Sequence, residues 1–355
     1  MTFKITIQKT VLDFARILEF LEGMKLSDLD FTYPEDLVAT SPARPSRVLL
    51  VKNQQCSEIG IEDLLKLFSP GDVLVVNDTK VLKRRLFVEG REILFLDSAD
   101  RQQWQVLMPC KDLQLGDSFH LSKKVVCTLL EKGRPQIVKV NQALEESFFE
   151  EHGEIPLPPY IQKQRGERQS RPEDEQWYQT AWAQVPGSFA SPTASLHFTA
   201  DHLQWLRDQG VQILTITLHV GLGTFLPVQE EDLKKHTMHE EFLFVDAKVM
   251  EQINNAKNSG HKVWILGTTA LRAVESAAHK LIPLSKITKT NLMIAPGFEF
   301  LAADCLLTNF HQPKSTLLAL VAAFKDLQTV KRSYAWAIDK KFKLFSYGDL
   351  SVWIR

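Results

Sequence analysis

Five of the chain's ten histidines, His197, His202, His219, His236 and His239, fall between Gly187 and Glu241. Imidazole titrates close enough to neutrality to take or give a proton, so this stretch is the first place to look for acid–base chemistry. His236, His239 and Glu241 form an H-x-x-H-x-E pattern. At helical spacing, residues three apart share a face. Two imidazoles and a carboxylate there could hold zinc or iron. They could equally be neutral acid–base groups, or a solvated helix face, as the neighbours Lys234, Lys235 and Glu240 suggest.

The run before Gly221 alternates. Leu214, Ile216, Leu218 and Val220 point to one side of a strand, and Thr215, Thr217 and His219 to the other. A polar face on such a strand meets water or lines a cleft. The strand leads into Gly221-Leu222-Gly223-Thr224, where glycines permit close backbone approach to a ligand, or simply make a turn. Gly267-Thr268-Thr269-Ala-Leu-Arg272 lies between an apolar strand and a helix. Free N–H groups, two hydroxyls and a cation there suit an anion. Thr308-Asn309-Phe310-His311-Gln312-Pro313-Lys314 repeats that layout, and either could be plain helix capping. Lys80, Lys83, Arg84 and Arg85 are the densest basic run. Together with an Arg- and aromatic-rich stretch over 153–186 they could grip phosphates and stack bases, or remain solvated.

The elements that must position these groups are of two kinds. Val73–Val76 is an apolar run after Pro70-Gly71 and reads as a buried strand ending in Asn77-Asp78-Thr79. In α/β folds ligands bind at such strand ends. From Ala200 onward, helices and strands alternate. Between them, six short strand-like runs from Leu86 to Val140 predict a small β-barrel. The expected fold is therefore mixed α/β: a large, barrel-like α/β catalytic domain over 24–85 and 153–355, with an all-β barrel inserted over 86–152. Residues 1–23 read as an N-terminal arm, with Met24 as an alternative start.

The chain has 355 residues, a formal charge of −1 and four scattered cysteines without a CxxC pair. Nucleic-acid contact would thus need a local basic patch, and neither disulfides nor a thiolate zinc site are expected. No apolar run approaches the ~18 residues of a membrane span, and no secretory signal is evident, so a cytoplasmic location is expected.

Many ordered segments together resemble the S-adenosylmethionine:tRNA ribosyltransferase-isomerase family of queuosine biosynthesis. They include Leu26-Ser-Asp-Leu-Asp-Phe31, Val76-Asn-Asp-Thr79, Leu157-Pro-Pro-Tyr-Ile161, Pro192-Thr-Ala194, Leu196-His-Phe-Thr199, Thr217-Leu-His-Val-Gly221, Gly223-Thr-Phe225, His236-Thr-Met-His-Glu-Glu241, Gly267-Thr-Thr269, Thr308-Asn-Phe-His311 and Phe345-Ser-Tyr-Gly-Asp349. The resemblance runs from about Leu26 to Tyr347 and makes residues 1–23 an extension or a start-site artefact. It implies transfer and isomerisation of the ribosyl group of S-adenosylmethionine, a co-substrate, onto 7-aminomethyl-7-deazaguanine at the tRNA wobble position. Epoxyqueuosine, adenine and methionine would be the products, with no metal required and a monomeric enzyme expected. The implied acid–base candidates are His197, His219, His236, His239, Glu241 and His311. Thr193, Gly221, Gly223, Thr224, Thr268, Thr269 and Arg272 would bind S-adenosylmethionine. Asn77, Asp78, Lys80, Arg84, Arg85 and Lys314 would bind tRNA.

This chain departs from the family pattern with Ser195 in place of glycine and Lys80 in place of arginine, which loses a bidentate fork. The competing readings are a metal-dependent hydrolase built on His236, His239 and Glu241, and a catalytically silent RNA-binding homologue.

Overall fold

Val73, Leu74, Val75 and Val76 are all buried because both faces of their strand are covered. In this computed structural model, residues 25–221, 223, 233 and 238–355 are described. The described residues divide into two compact units, one running up to Lys80 and resuming at Gln179, and one of Val81–Tyr178.

The larger unit opens with β1 (Arg47–Lys52), β2 (Gln55–Gly60), the short helix α1 (Ile61–Leu65) and β3 (Val73–Asn77), and leaves through β4 (Thr79–Val81). The smaller unit supplies β5 (Arg85–Val88), β6 (Arg91–Phe95), β7 (Gln103–Leu107), β8 (Ser118–His120), β9 (Val126–Glu131) and β10 (Gln136–Val140). It continues with α2 (Glu146–His152), α3 (Pro159–Arg165) and α4 (Asp174–Trp177). Back in the larger unit come β11 (Val185–Ser188), α5 (Ala200–Asp208), β12 (Gln212–Leu218), β13 (Glu241–Phe244), α6 (Ala247–Asn258), β14 (Val263–Leu266) and α7 (Thr268–Ala278). The last elements are β15 (Thr288–Thr290), β16 (Cys305–Asn309), α8 (Thr316–Phe324), α9 (Leu327–Asp339) and β17 (Leu350–Ile354).

The larger unit carries a nine-stranded sheet in the order β15-β13-β12-β3-β14-β16-β17-β1-β2. Its centre, β12-β3-β14-β16, is parallel. Leu74, Val76, Trp264, Leu266 and Leu307 on one face pack with Leu64 and Phe68 near α1 and Leu203 and Leu206 of α5. Helix α7 crosses β12, β3, β14 and β16, and α6 packs beside it. Because the central strands run the same way, their carboxyl ends share one edge. That edge collects Asn77, Leu218, Leu266 and Asn309.

The six strands of the smaller unit are antiparallel, ordered β5-β6-β7-β10-β9-β8, around Phe95, Trp104, Val106, Phe119, Leu129 and Val138. Their number and limits follow the pattern of short apolar runs closely. The unit extends beyond the 86–152 expected from that pattern, to Val81 and Tyr178. The added segments are held by packing that a period-2 reading does not register. Arg85 pairs across an isolated bridge with Glu154, and Arg165 closes a buried double contact with Asp174 at 2.6 and 2.8 Å.

Candidate active site

The polar residues at the carboxyl edge of the parallel strands are knitted together. Asn77, at the end of β3, is wholly buried; its Nδ2 donates to Leu218 O (2.9 Å) and to Thr269 Oγ1 (3.1 Å). Its Oδ1 accepts from Leu218 N (3.0 Å) and Thr79 N (3.2 Å), and its carbonyl accepts from Trp182 Nε1 (3.0 Å). One amide thus ties β3, β12 and the start of α7. Next to it, Thr217 Oγ1 donates to Asp78 Oδ1 at 2.7 Å, and burial holds the Asp78 carboxyl above the usual carboxylate range.

His219 leaves β12 on the polar side that the alternation predicts, with Leu214, Ile216, Leu218 and Val220 buried opposite. Its Nδ1 lies 2.7 Å from Thr79 Oγ1, and its backbone N–H donates to Phe242 O at 2.8 Å. Gly187 of β11 lies against the ring: an ideal Cβ there would sit 2.8 Å from Cε1 and Nε2. Burial lowers the imidazole pKa, so the ring is neutral near pH 7. Among the described residues, Nε2 has no hydrogen-bond partner.

The other histidines are placed differently. His197 is buried with both nitrogens engaged: Asn309 Nδ2 donates to Nε2 (3.2 Å), which puts the proton on Nδ1, where it meets Ser46 Oγ (2.7 Å). Burial, helped by Arg44, pushes its pKa down to about 3. His311 Nε2 meets Thr308 Oγ1 at 2.9 Å, and burial also holds this ring at about 3. Both rings are neutral near pH 7; His197 has a partner on each nitrogen, and His311 has one on Nε2. His239 is exposed, with Gly223 beside its ring. His236 and Thr224 lie outside the described residues.

Glu241 does not share a helix face with His239. It opens strand β13, where Gly221 lies beside its Cγ, and it pairs with the buried Arg272 of α7. The H-x-x-H-x-E reading therefore loses its carboxylate to an ion pair. Arg272 also donates from Nε to Leu292 O at 3.0 Å, so Glu241 neutralises the cation expected to hold an anion. At the α7 N-terminus Thr268, Thr269 and backbone N–H groups offer a dipolar cradle, and Arg272 keeps a buried Nη2 without a partner among the described residues. Among the described residues, no three His, Cys, Asp or Glu side chains gather as metal ligands.

A family model described as "Queuosine biosynthesis protein" matches residues 26–353. The chain belongs to the queuosine biosynthesis protein family. Its relatives include an S-adenosylmethionine:tRNA ribosyltransferase-isomerase from Ruegeria sp., 39% identical over 93% of this chain and 100% of the relative. A protein of the same name from Syntrophotalea carbinolica is 41% identical over 92% of this chain and 98% of that one. The crystal structure of S-adenosylmethionine tRNA ribosyltransferase from Thermotoga maritima is similar, with a TM-score of 0.52 and 26% identity over 92% of this chain and 99% of that one.

In this queuosine biosynthesis family member the expected tRNA cations separate into two kinds. Lys80 is exposed. Lys314 is exposed too, with Nζ 2.9 Å from Asp30 Oδ2. Arg84 and Arg85 are buried in the smaller unit: Arg84 pairs with Glu146 and lies over Trp104 and Phe149, and Arg85 lies between Glu92 and Glu154. Their charges are spent inside the unit, which a linear basic run does not reveal. Thr193 is half-buried at the start of a 3-10 turn over Thr193–His197. Ser195, within that turn, is fully buried, and its Oγ has no partner among the described residues.

Sequence reasoning missed Thr79 and Gly187 as neighbours of His219. Thr79 had a signal, since it closes the polar strand end Asn77-Asp78-Thr79. Gly187 had none, because the contact joins segments distant in sequence.

Proposed function

We propose that this chain transfers and isomerises the ribosyl group of S-adenosylmethionine onto 7-aminomethyl-7-deazaguanine at the wobble position of tRNA. Adenine and methionine leave, and epoxyqueuosine remains in the tRNA. The observation that carries the reading is the polar strand edge centred on His219, a neutral imidazole with an uncommitted Nε2, within a chain that matches its relatives over nearly their whole length.

The chemistry requires proton removal beside the sulfonium, stabilisation of the departing adenine, and attack by the aminomethyl nitrogen. His219 and Asp78, at the ends of neighbouring strands, are the proton-handling groups this geometry supports. Burial favours the neutral form of each, so the Asp78 carboxyl is easier to protonate than an exposed one and the His219 imidazole is uncharged. Thr268, Thr269 and the α7 N-terminus are suited to the methionine carboxylate. Gly221 and Gly223 leave room for close approach. Lys80 and Lys314 are the cations we assign to tRNA. S-adenosylmethionine is a co-substrate, and the reaction as read needs no metal. The enzyme is read as a cytoplasmic monomer, and no helix among the described residues is long and apolar enough to cross a membrane.

The test is incubation with S-adenosylmethionine and tRNA bearing the deazaguanine base, in a chelator. Equal release of adenine and methionine is expected. Folded protein that binds tRNA yet releases neither product would overturn the reading.

A further inference from the structure

Thr79 is wholly buried, and its hydroxyl has a single side-chain partner among the described residues, His219 Nδ1 at 2.7 Å. A hydroxyl carries one donor and two acceptor positions. If His219 donated from Nδ1, the Thr79 proton would be left buried without an acceptor. If Thr79 donates, only lone pairs go unmatched. Buried orphan donors are rarer and costlier than under-used acceptors. The economical arrangement is therefore Thr79 O–H to Nδ1, with the imidazole proton on Nε2.

The ring cannot easily rotate or slide away from that bond. Gly187 presses on its distal half, where an ideal Cβ would sit 2.8 Å from Cε1 and Nε2 and 2.9 Å from Cδ2. The backbone on either side is pinned as well: His219 N donates to Phe242 O (2.8 Å), and Val220 N donates to Ser188 Oγ (3.0 Å). Thr79 is itself held, its N–H donating to Asn77 Oδ1 at 3.2 Å. Two strand ends and β11 thus converge to set one ring orientation. Burial keeps the imidazole uncharged, which leaves the choice of tautomer to Thr79.

We propose that Thr79 is a positioning residue whose hydroxyl selects the Nε2–H tautomer of His219, making Nε2 of His219 a hydrogen-bond donor. A neutral donor held in place stabilises negative charge as it develops on a leaving group, without reorganising during the reaction. Proton removal then falls to a different group. The inference deepens the proposed function and rests on it for the identity of that leaving group, but the tautomer itself does not depend on the substrate.

The test uses full-length protein labelled with 15N-histidine, with His219 assigned from the signal missing in His219→Asn. Two-bond 15N–1H correlations report which ring nitrogen carries the proton. The wild type and Thr79→Ser are expected to show Nε2–H. Thr79→Val is expected to lose that preference and to lower kcat on the order of 10- to 100-fold with little change in KM, while Thr79→Ser restores most of kcat. A wild-type Nδ1–H signal, or Thr79→Val with an unchanged tautomer and wild-type kcat, would overturn the inference. Because the spectra need no substrate, an Nε2–H tautomer in a protein that never releases adenine supports the Thr79 assignment and counts against the proposed reaction alone.

Discussion

Replacing Gly187 with alanine should disable the site with little damage to the fold. The added Cβ would meet Cε1 and Nε2 of His219 at 2.8 Å, against an ordinary contact of 3.4 Å or more, so the ring must withdraw by about 0.6 Å. Withdrawal strains the 2.7 Å contact with Thr79. The φ of 155° at Gly187 also disfavours a side chain. Misplacing a reacting group by ~1 Å costs on the order of 100-fold in rate, so a fall in kcat of about 10- to 100-fold is expected, with KM for tRNA nearly unchanged. Overpacking one methyl should cost roughly 1–3 kcal/mol of stability. Adenine release under saturating tRNA, with urea unfolding in parallel, measures both. Gly60→Ala, where a Cβ would meet nothing within 4 Å, serves as the control and should keep wild-type activity. If Gly187→Ala turned over like the wild type while folded, the placement of His219 in the mechanism would be refuted.

Glu241→Ala strands a buried guanidinium and should cost about 3–5 kcal/mol, read as a lowered Tm; an unchanged Tm would return Glu241 to the candidates for chemistry. Lys80→Ala should weaken tRNA binding and reduce the salt slope by about 1, whereas Arg84→Ala should lower stability and leave that slope alone, as binding titrations at several salt concentrations would show. Ser195→Ala removes a buried hydroxyl without a partner and should stabilise by roughly 1 kcal/mol in urea unfolding; destabilisation would reveal a partner for that hydroxyl. His197 and His311 fall from 6.5 in the unfolded chain to about 3 in the fold. Between those values only the unfolded chain takes up the two protons, so this contribution is complete above pH 6.5 and is lost as pH falls towards 3. Each histidine should contribute about 1.4 kcal/mol of lost stability per pH unit, and His197→Asn should flatten the slope of unfolding free energy against pH.

The parts of this molecule governed by local rules were legible in its sequence. Alternation placed His219 opposite Leu218 and Val220, and the apolar run Val73–Val76 announced a central strand with Asn77-Asp78-Thr79 at its end. Six short runs announced the small barrel. The motif matches carried the family, because many short segments in fixed order are a property of sequence alone.

Tertiary structure decided which of those groups are free to act. His197, His219 and His311 look alike in the sequence, yet Ser46 and Asn309 occupy both nitrogens of His197, while Nε2 of His219 has no partner among the described residues. Arg84 and Arg85 read as a basic run, but Glu146, Glu92 and Glu154 neutralise them from elsewhere in the chain. Glu241 and Arg272 each suggested a site, and folding spent them on each other. The physical reason is common to all of these cases. Periodicity and capping act over a few residues, whereas desolvation, ion pairing and the tautomer of a buried ring depend on partners brought together only when the parallel strands align their carboxyl ends.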